Sequence, residues 1–450
     1  MGWRAASWAL AAALVVYPAL ARAQDGESTA AGMISLRDAV KMAVKASPDE
    51  QAAAARVARA DAEEDIAVAG WLPRAEVGVR GGASAERGTF LFRQDHFVIN
   101  SAHGEARAGL RWTVFDFGRT SNAASAAEAT HASAKHGLEA TRIGVARQAA
   151  SAYVTVLADE QLVGSKKIAV KHRTRFAAIA KGLVAQGVRP ALDEQRAKVN
   201  LEAARHDLAI AEARLAIDRA RLAVMLGLEP SRLPPLAQVT LPGAEDDAAR
   251  ATAVGEKSRP EVAQANTEVE ASDRRVDAAR AGWLPRVDVD VNGSYRLTRF
   301  DFADGMIPRA EATGVVAITV PLFDATIPAR VDAARADLAA AQAREERVRR
   351  QVRLEAYEAA VSLKAARTLK VRARELSSSA QQALALIDAR YASGLATSIE
   401  LVDAEQADLD AREALIGAEL RVQLATVDLF AATGRTSELG VSPAAREGGV

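Results

Sequence analysis

The chain has 450 residues with 58 basic and 58 acidic side chains, and this zero formal charge argues against nucleic-acid binding, which draws on a basic excess. The absence of cysteine excludes disulfides, thiolate metal sites, cysteine nucleophiles and a lipidated N-terminal cysteine. Apolar residues make up 49% of the chain but aromatics only 4%, with alanine supplying much of the apolar content, so the composition points to long helices packed closely in thin layers.

The N-terminus reads as a cleaved secretory signal over residues 1–23. Arg4 gives a positive start, Trp8 to Leu20 is apolar although interrupted by Pro18, and Ala21-Arg22-Ala23 is a small-x-small cleavage site. Cleavage before Gln24 removes Arg4 and Arg22 and no acid, leaving 58 − 2 = 56 basic against 58 acidic residues. No later stretch reads as a transmembrane helix, so a membrane-bound mature chain has to cross with strands.

From residue 24 the chain is written twice. Ser47-Pro48-Asp49 corresponds to Arg259-Pro260-Glu261, an offset of 260 − 48 = 212. Ala69-Gly70-Trp71-Leu72-Pro73-Arg74 returns as Ala281-Gly282-Trp283-Leu284-Pro285-Arg286 at 283 − 71 = 212. Phe115-Asp116 returns as Phe323-Asp324 (offset 208) and Gly187 as Gly394 (offset 207), with Leu226-Gly227 echoed less well by Thr433-Gly434. The first repeat is residues 24–226 and the second 248–434. A Pro/Leu-rich linker (227–247) joins them, and a flexible tail (435–450) follows.

Both halves run in the same order. A helix is expected over about 36–69, with Ser35 as N-cap and Trp-Leu-Pro as its stop. Two strands follow at about 75–84 and 106–115, then a very long helix from Arg119 to Ala185, a turn at Gly187–Pro190, and a return helix to Leu226, so that the hairpin covers 119–226. The second half gives a helix near 251–281, strands at about 286–298 and 311–320, and a helical hairpin over 326–434 that turns at Gly394.

The strands alternate. Val287, Val289, Val291, Gly293, Tyr295 and Leu297 share one face of the third, while Asp288, Asp290, Asn292, Ser294, Arg296 and Thr298 share the other. Each strand is about ten residues, the length that crosses a bilayer when tilted. The helices carry a seven-residue rhythm of small seam residues, as in Leu201, Ala204, Leu208, Ala211, Leu215, Leu222 and Met225, broken at Asp218. At ~1.5 Å per residue the long helices would span roughly 90–100 Å, too long for a compact domain. The six histidines (96, 103, 131, 136, 172 and 206) form no pair one helical turn apart and read as surface or packing residues. No catalytic motif, metal-ligand spacing or cofactor fingerprint stands out.

In a membrane every strand must be paired, yet four strands cannot close a barrel, whose smallest type has about eight. The chain must therefore pool strands with copies of itself, and counting alone permits two, three or four. The helices, attached at one end of every β-hairpin, would be gathered into a cylinder below.

The Trp-Leu-Pro entry to each first strand, the Phe-Asp motif after the second (Phe115-Asp116-Phe117-Gly118 and Pro321-Leu322-Phe323-Asp324), and the Tyr391-x-x-Gly394-Leu395 turn followed by Glu400-Leu401-Val402-Asp403-Ala404 resemble the TolC family of outer-membrane factors. The resemblance covers nearly the whole mature chain. It implies a mainly α protein with membrane β: a homotrimer whose 12-stranded β-barrel, set in outer-membrane lipid, continues as a periplasmic α-helical barrel. No cofactor is expected. The resemblance also implies docking to a periplasmic adaptor (membrane fusion protein) and an inner-membrane pump or secretion ATPase, so that the chain is the passive outer-membrane exit duct of an efflux or type I secretion system of a Gram-negative bacterium. The rival reading is a periplasmic adaptor or coiled-coil scaffold, but adaptors usually carry one hairpin flanked by a split lipoyl-like domain that the sequence does not offer.

By the same resemblance the turns at Gly187, Gly394 and Leu395 form the periplasmic tip, contact the adaptor and close the aperture. Glu400 and Asp403, three apart on one helix face, would become acidic rings under threefold symmetry, repelling anions and attracting cations. Asp193 is the first-half counterpart of Glu400, and Tyr391 is a candidate latch onto it, although Ala396 stands where some relatives place an arginine. Trp71, Trp283 and Phe323, at strand starts or ends, are candidate membrane-interface aromatics.

Overall fold

The computed structural model describes residues 32–89, 96–301, 304–393, 395–435 and 438. The expected signal segment (1–23), Gly394 and most of the expected tail lie outside the described residues. Among those described, no helix is long and apolar enough to cross a membrane.

The helix expected over 36–69 is two helices, α1 (Leu36–Ala46) and α2 (Pro48–Val68). Pro48 clashes with helical backbone in the residue before it, so Ser47 adopts extended geometry (φ −69°, ψ 123°). Pro48 then takes the first helical position, where its missing N–H is not needed, and Ser47 Oγ accepts the Glu50 N–H at 3.3 Å. The second repeat makes the same correction to the helix expected over 251–281. There α5 (Ala248–Ser258) and α6 (Pro260–Arg280) part at Arg259 (φ −72°, ψ 126°).

The four strands are antiparallel neighbours in chain order: β1 (Arg74–Thr89), β2 (His96–Phe115), β3 (Arg286–Phe300) and β4 (Ile307–Thr319). They run further than the alternation predicts, because ladder hydrogen bonds continue through Gly81-Gly82 and Arg87-Gly88, where the apolar pattern fades. The long helices are α3 (Arg119–Ala185), α4 (Ala191–Met225), α7 (Thr326–Ala392) and α8 (Ser398–Ala432). Each of α3 and α7 has 67 residues, so each spans about 100 Å.

The Phe-Asp motifs start these long helices. Asp116 accepts from the Thr120 N–H at 2.9 Å and hydroxyl at 2.5 Å, and Asp324 accepts from the Thr326 N–H at 2.8 Å and hydroxyl at 2.7 Å. Both carboxylates thus satisfy first-turn donors that no helical carbonyl can reach.

The helices form one layer. Near the sheet its order is α2–α3–α6–α7, and near the far end α4–α3–α8–α7. The heptad positions Leu201, Ala204, Leu208, Ala211, Leu215, Leu222 and Met225 all face inward to some degree, with Ala211 buried and Leu222 fully so. The densest core lies at mid-length, where α1 and α5 pack on the long helices: Val40, Ala149, Tyr153, Leu222, Leu363 and Phe430 are buried together. The linker belongs to this core, for Leu233, Leu236 and Ala244 are buried and Leu236 forms a parallel bridge with Ile34. The Tyr153 hydroxyl reaches the carbonyls of Ile34 at 2.9 Å and Ala237 at 2.6 Å, fastening both segments to α3.

Candidate functional site

The sheet sorts its side chains by face across all four strands. In register, Val77, Ala108, Gly293 and Ala312 form one row of the apolar face, and Val79, Ala106, Tyr295 and Ala310 the next. No charged residue enters this face over 75–85, 102–114, 287–297 or 308–318. It is bare in the single chain, with Val77 83% exposed. Ten residues at ~3.3 Å, tilted by about 40°, give an apolar band roughly 25 Å tall, the height of an outer-membrane barrel wall.

The opposite face is polar and internally paired. Glu105 on β2 accepts from Arg80 on β1 at 2.8 Å and from Arg296 on β3 at 2.7 Å, and Arg111 donates to Asp290 at 2.9 Å. Such ladders belong on the wall of a water-filled lumen rather than in lipid. Among the described residues, both margins of the sheet, β1 and β4, have an unpaired edge. The expected aromatics gather at the helical end of the sheet, where Trp112 Nε1 donates to the Trp71 carbonyl at 2.8 Å, while Trp283 and Phe323 project into solvent. The β2–β3 register shifts between Thr113 and Phe115 at this rim.

At the other end the hairpins reverse. Gly187 has φ +71°, which a residue with a Cβ rarely adopts, and lets α3 close with a Gly187 N–H bond to Val184 O (3.0 Å) and a Val188 N–H bond to Leu183 O (2.9 Å). The second hairpin repeats the outer bond, from Leu395 N–H to Arg390 O at 2.8 Å. The residues that follow the glycines, Val188 and Leu395, are 63% and 70% exposed. Leu192 and Ile399, four residues further on, are exposed too. Sequence reading named Leu395 but missed its counterpart Val188, which the same 207 offset would have found.

Glu400 is placed by a capping box. Its carboxylate accepts the Thr397 N–H at 2.6 Å and hydroxyl at 2.9 Å, while Thr397 Oγ1 accepts the Glu400 N–H at 3.2 Å. The Thr397 N–H and hydroxyl hold this carboxyl below the ordinary glutamate range, so its charge persists. Asp403 is exposed and, among the described residues, unpaired. Asp193 lies in the first turn of α4, which has Pro190 at its N-cap and no side-chain cap. Tyr391 does not reach Asp193 within the chain; its ring packs on Phe176 of α3 at 6.4 Å between centroids.

One link near the tips had no local signal. Arg173 on α3 and Glu405 on α8, only 8% and 16% exposed, face each other at 3.1 Å across the seam between the two repeats. The pair lacks hydrogen-bond alignment, so coulombic attraction dominates. Burial pushes the Glu405 carboxyl up, and Arg173 only partly offsets it. Lys166 joins the same helices through Glu413 at 2.5 Å.

The family model described as outer membrane efflux protein matches residues 39–228 and 256–435, one match for each repeat. Outer membrane protein OprJ of Pseudomonas aeruginosa is 26% identical over 357 residues, covering 74% of this chain and 70% of its own. Among solved structures, the outer membrane protein VceC of Vibrio cholerae superposes with a TM-score of 0.73 at 21% identity, covering 89% of this chain and 96% of that one. The open-state outer membrane channel MtrE of Neisseria gonorrhoeae gives 0.71 at 20% identity, with 89% and 88% covered.

Proposed function

Since the chain belongs to the outer membrane efflux protein family, we propose that it is the exit duct of a tripartite efflux system, passing cargo from an inner-membrane pump and a periplasmic adaptor through the outer membrane. The observation that carries this reading is the sheet: an uncharged band on one face, paired charges on the other, and two open edges. Such a sheet is stable in lipid only when copies of the chain join β1 of one to β4 of the next. The family resemblance sets the number at three, which gives twelve strands.

The helices support the same closure. The marginal helices carry a second apolar stripe on their free faces, at Ile210, Ile217 and Val224 of α4 and at Leu354, Val361, Leu369 and Leu376 of α7, all exposed in the single chain. Spacing of seven residues on α4 and of seven or eight on α7 suits a seam between neighbouring copies. An adaptor that works through one hairpin and a lipoyl-like domain does not fit this architecture, and the two matched repeats favour the channel.

The helical cylinder would stand in the periplasm with its tips toward the adaptor. The exposed Val188, Leu192, Leu395 and Ile399 supply an apolar docking surface that both hairpins present alike. Glu400 and Asp403 would ring the mouth and favour cations. The test is conductance of the detergent-purified protein in planar bilayers. Defined channels are expected, and Glu400→Gln with Asp403→Asn should weaken cation selectivity. Glutamine retains the reach-back of the capping box, so the pair of changes removes charge without uncapping α8. A protein that stays monomeric in detergent and forms no channel would refute the duct; unchanged selectivity would refute the acidic mouth alone. Loss of resistance to toxic small molecules on gene deletion, against loss of one secreted protein, separates efflux from protein secretion.

A further inference from the structure

His131 on α3 faces two carboxylates of α2. Its Nδ1 lies 2.7 Å from Glu64 Oε2 and 3.7 Å from Asp61 Oδ1, and the three ligand atoms all lie within 4.8 Å of one another. Asp61 and Glu64 are three residues apart and share a helix face. The imidazole is nearly enclosed, at 12% exposure, whereas Asp61 opens to solvent. Elsewhere in the helical layer inward-facing acids meet arginines: Glu50 meets Arg142, Asp159 meets Arg214 and Glu405 meets Arg173. Among the described residues, neither Asp61 nor Glu64 pairs with a lysine or arginine. Two negative charges therefore converge on one imidazole with no fixed cation between them.

We propose that Asp61, Glu64 and His131 form a binding site for a first-row divalent metal ion of the Zn²⁺ type. One imidazole nitrogen and two carboxylate oxygens suit such an ion, whereas Mg²⁺ and Ca²⁺ favour all-oxygen shells. Ligand bonds of about 2.0–2.2 Å in tetrahedral geometry hold donor atoms roughly 3.4 Å apart. Asp61 already stands near that spacing, and Glu64 needs only a side-chain adjustment to retreat from its direct hydrogen bond. The ion takes the place of the proton between Nδ1 and Glu64, that proton passing to Nε2 or to solvent, and water fills the remaining position on the open side of Asp61. The second repeat has Asp273 and Val276 at the positions 212 further on (61 + 212 = 273; 64 + 212 = 276), and Val276 is buried, so the site belongs to the first repeat alone. Its place on the last turns of α2, just before β1, makes it a clamp between α2 and α3 beside the sheet.

The test is calorimetric titration of the full chain, purified in detergent and stripped with chelator, with Zn²⁺ and, as a control, Mg²⁺. One Zn²⁺ per chain is expected, with no saturable Mg²⁺ binding. His131→Ala and Asp61→Asn should each weaken Zn²⁺ by about tenfold or more, and His136→Ala, whose ring nitrogen lies only near Glu139 at 3.8 Å, should leave it unchanged. Should His131→Ala fail to assemble, the exposed Asp61→Asn decides alone. Equal Zn²⁺ affinity in wild type and Asp61→Asn overturns the proposal. So does the absence of saturable Zn²⁺ binding, which would leave His131 as a hydrogen-bond partner of Glu64 alone.

Discussion

Replacing Glu405 with alanine strands the Arg173 guanidinium. Arg173 and Glu405 are 8% and 16% exposed, so solvent cannot stand in for the lost carboxylate, and among the described residues the guanidinium keeps only weak contacts at 3.5 Å, to Val402 O and Gln406 Oε1. Breaking one half of a buried pair costs about 3–5 kcal/mol. The cost falls on the seam where α8 meets α3, so it should appear as local opening of α8 rather than as global unfolding. At ~1.4 kcal/mol per tenfold, the lower bound predicts roughly hundredfold faster amide exchange over the first turns of α8. The double variant Arg173→Met with Glu405→Leu removes both charges and fills the space with apolar atoms, and it should restore most of the protection. In bilayers, Glu405→Ala should conduct more than wild type if this seam holds the mouth closed. Exchange in Glu405→Ala within twofold of wild type, or a double variant as loose as the single, would refute the reasoning.

Asp159 on α3 should give α3 and α4 a pH dependence. Burial and the neighbouring Asp218 push its carboxyl up to about 6 against the attraction of Arg214. The native state therefore holds a proton that the unfolded chain releases near 3.8, and the group's contribution to stability is lost as pH rises from about 4 to about 6. Denaturation midpoints of Asp159→Asn should gain on wild type across that window; a constant difference would contradict the shift. Tyr153→Phe removes the hydrogen bonds to Ile34 O and Ala237 O, which should lower stability by about 1–3 kcal/mol in thermal melts. Gly227→Ala should destabilise by a similar amount, about 1–3 kcal/mol, because φ is +74° and the new Cβ would sit 2.8 Å from the Ala46 Cβ.

Much of the architecture was legible because it repeats and because its stops are chemical. The bounds of α3 and the ends of α4 were readable from Gly118, Gly187 and Gly227, whose positive φ angles end or begin helices. The breaks at Ser47-Pro48 and Arg259-Pro260 were written in the chain as well, but the sequence reading carried one helix through each, and the steric effect of proline on the preceding residue overrules it. The Thr397-x-x-Glu400 capping box is also a readable pattern that the charge of Glu400 obscured. The packed linker was not readable, since Leu233 and Leu236 are buried by irregular backbone with no period. Nor were Arg173–Glu405 or His131–Glu64, which join residues 232 and 67 positions apart (405 − 173; 131 − 64), where helix register and not local pattern decides the meeting.

The open margins of the sheet and of the helical layer carry a genetic consequence. In the proposed ring each chain completes two neighbours, one through β1 and α4 and the other through β4 and α7, which ties folding in the membrane to the concentration of partners. A copy with one spoiled margin and one sound margin still recruits a healthy neighbour and then leaves the ring unfinished. Mutations at Ile217 or in β4 should therefore be dominant over a wild-type gene in the same cell, whereas a deletion of the whole gene should be recessive.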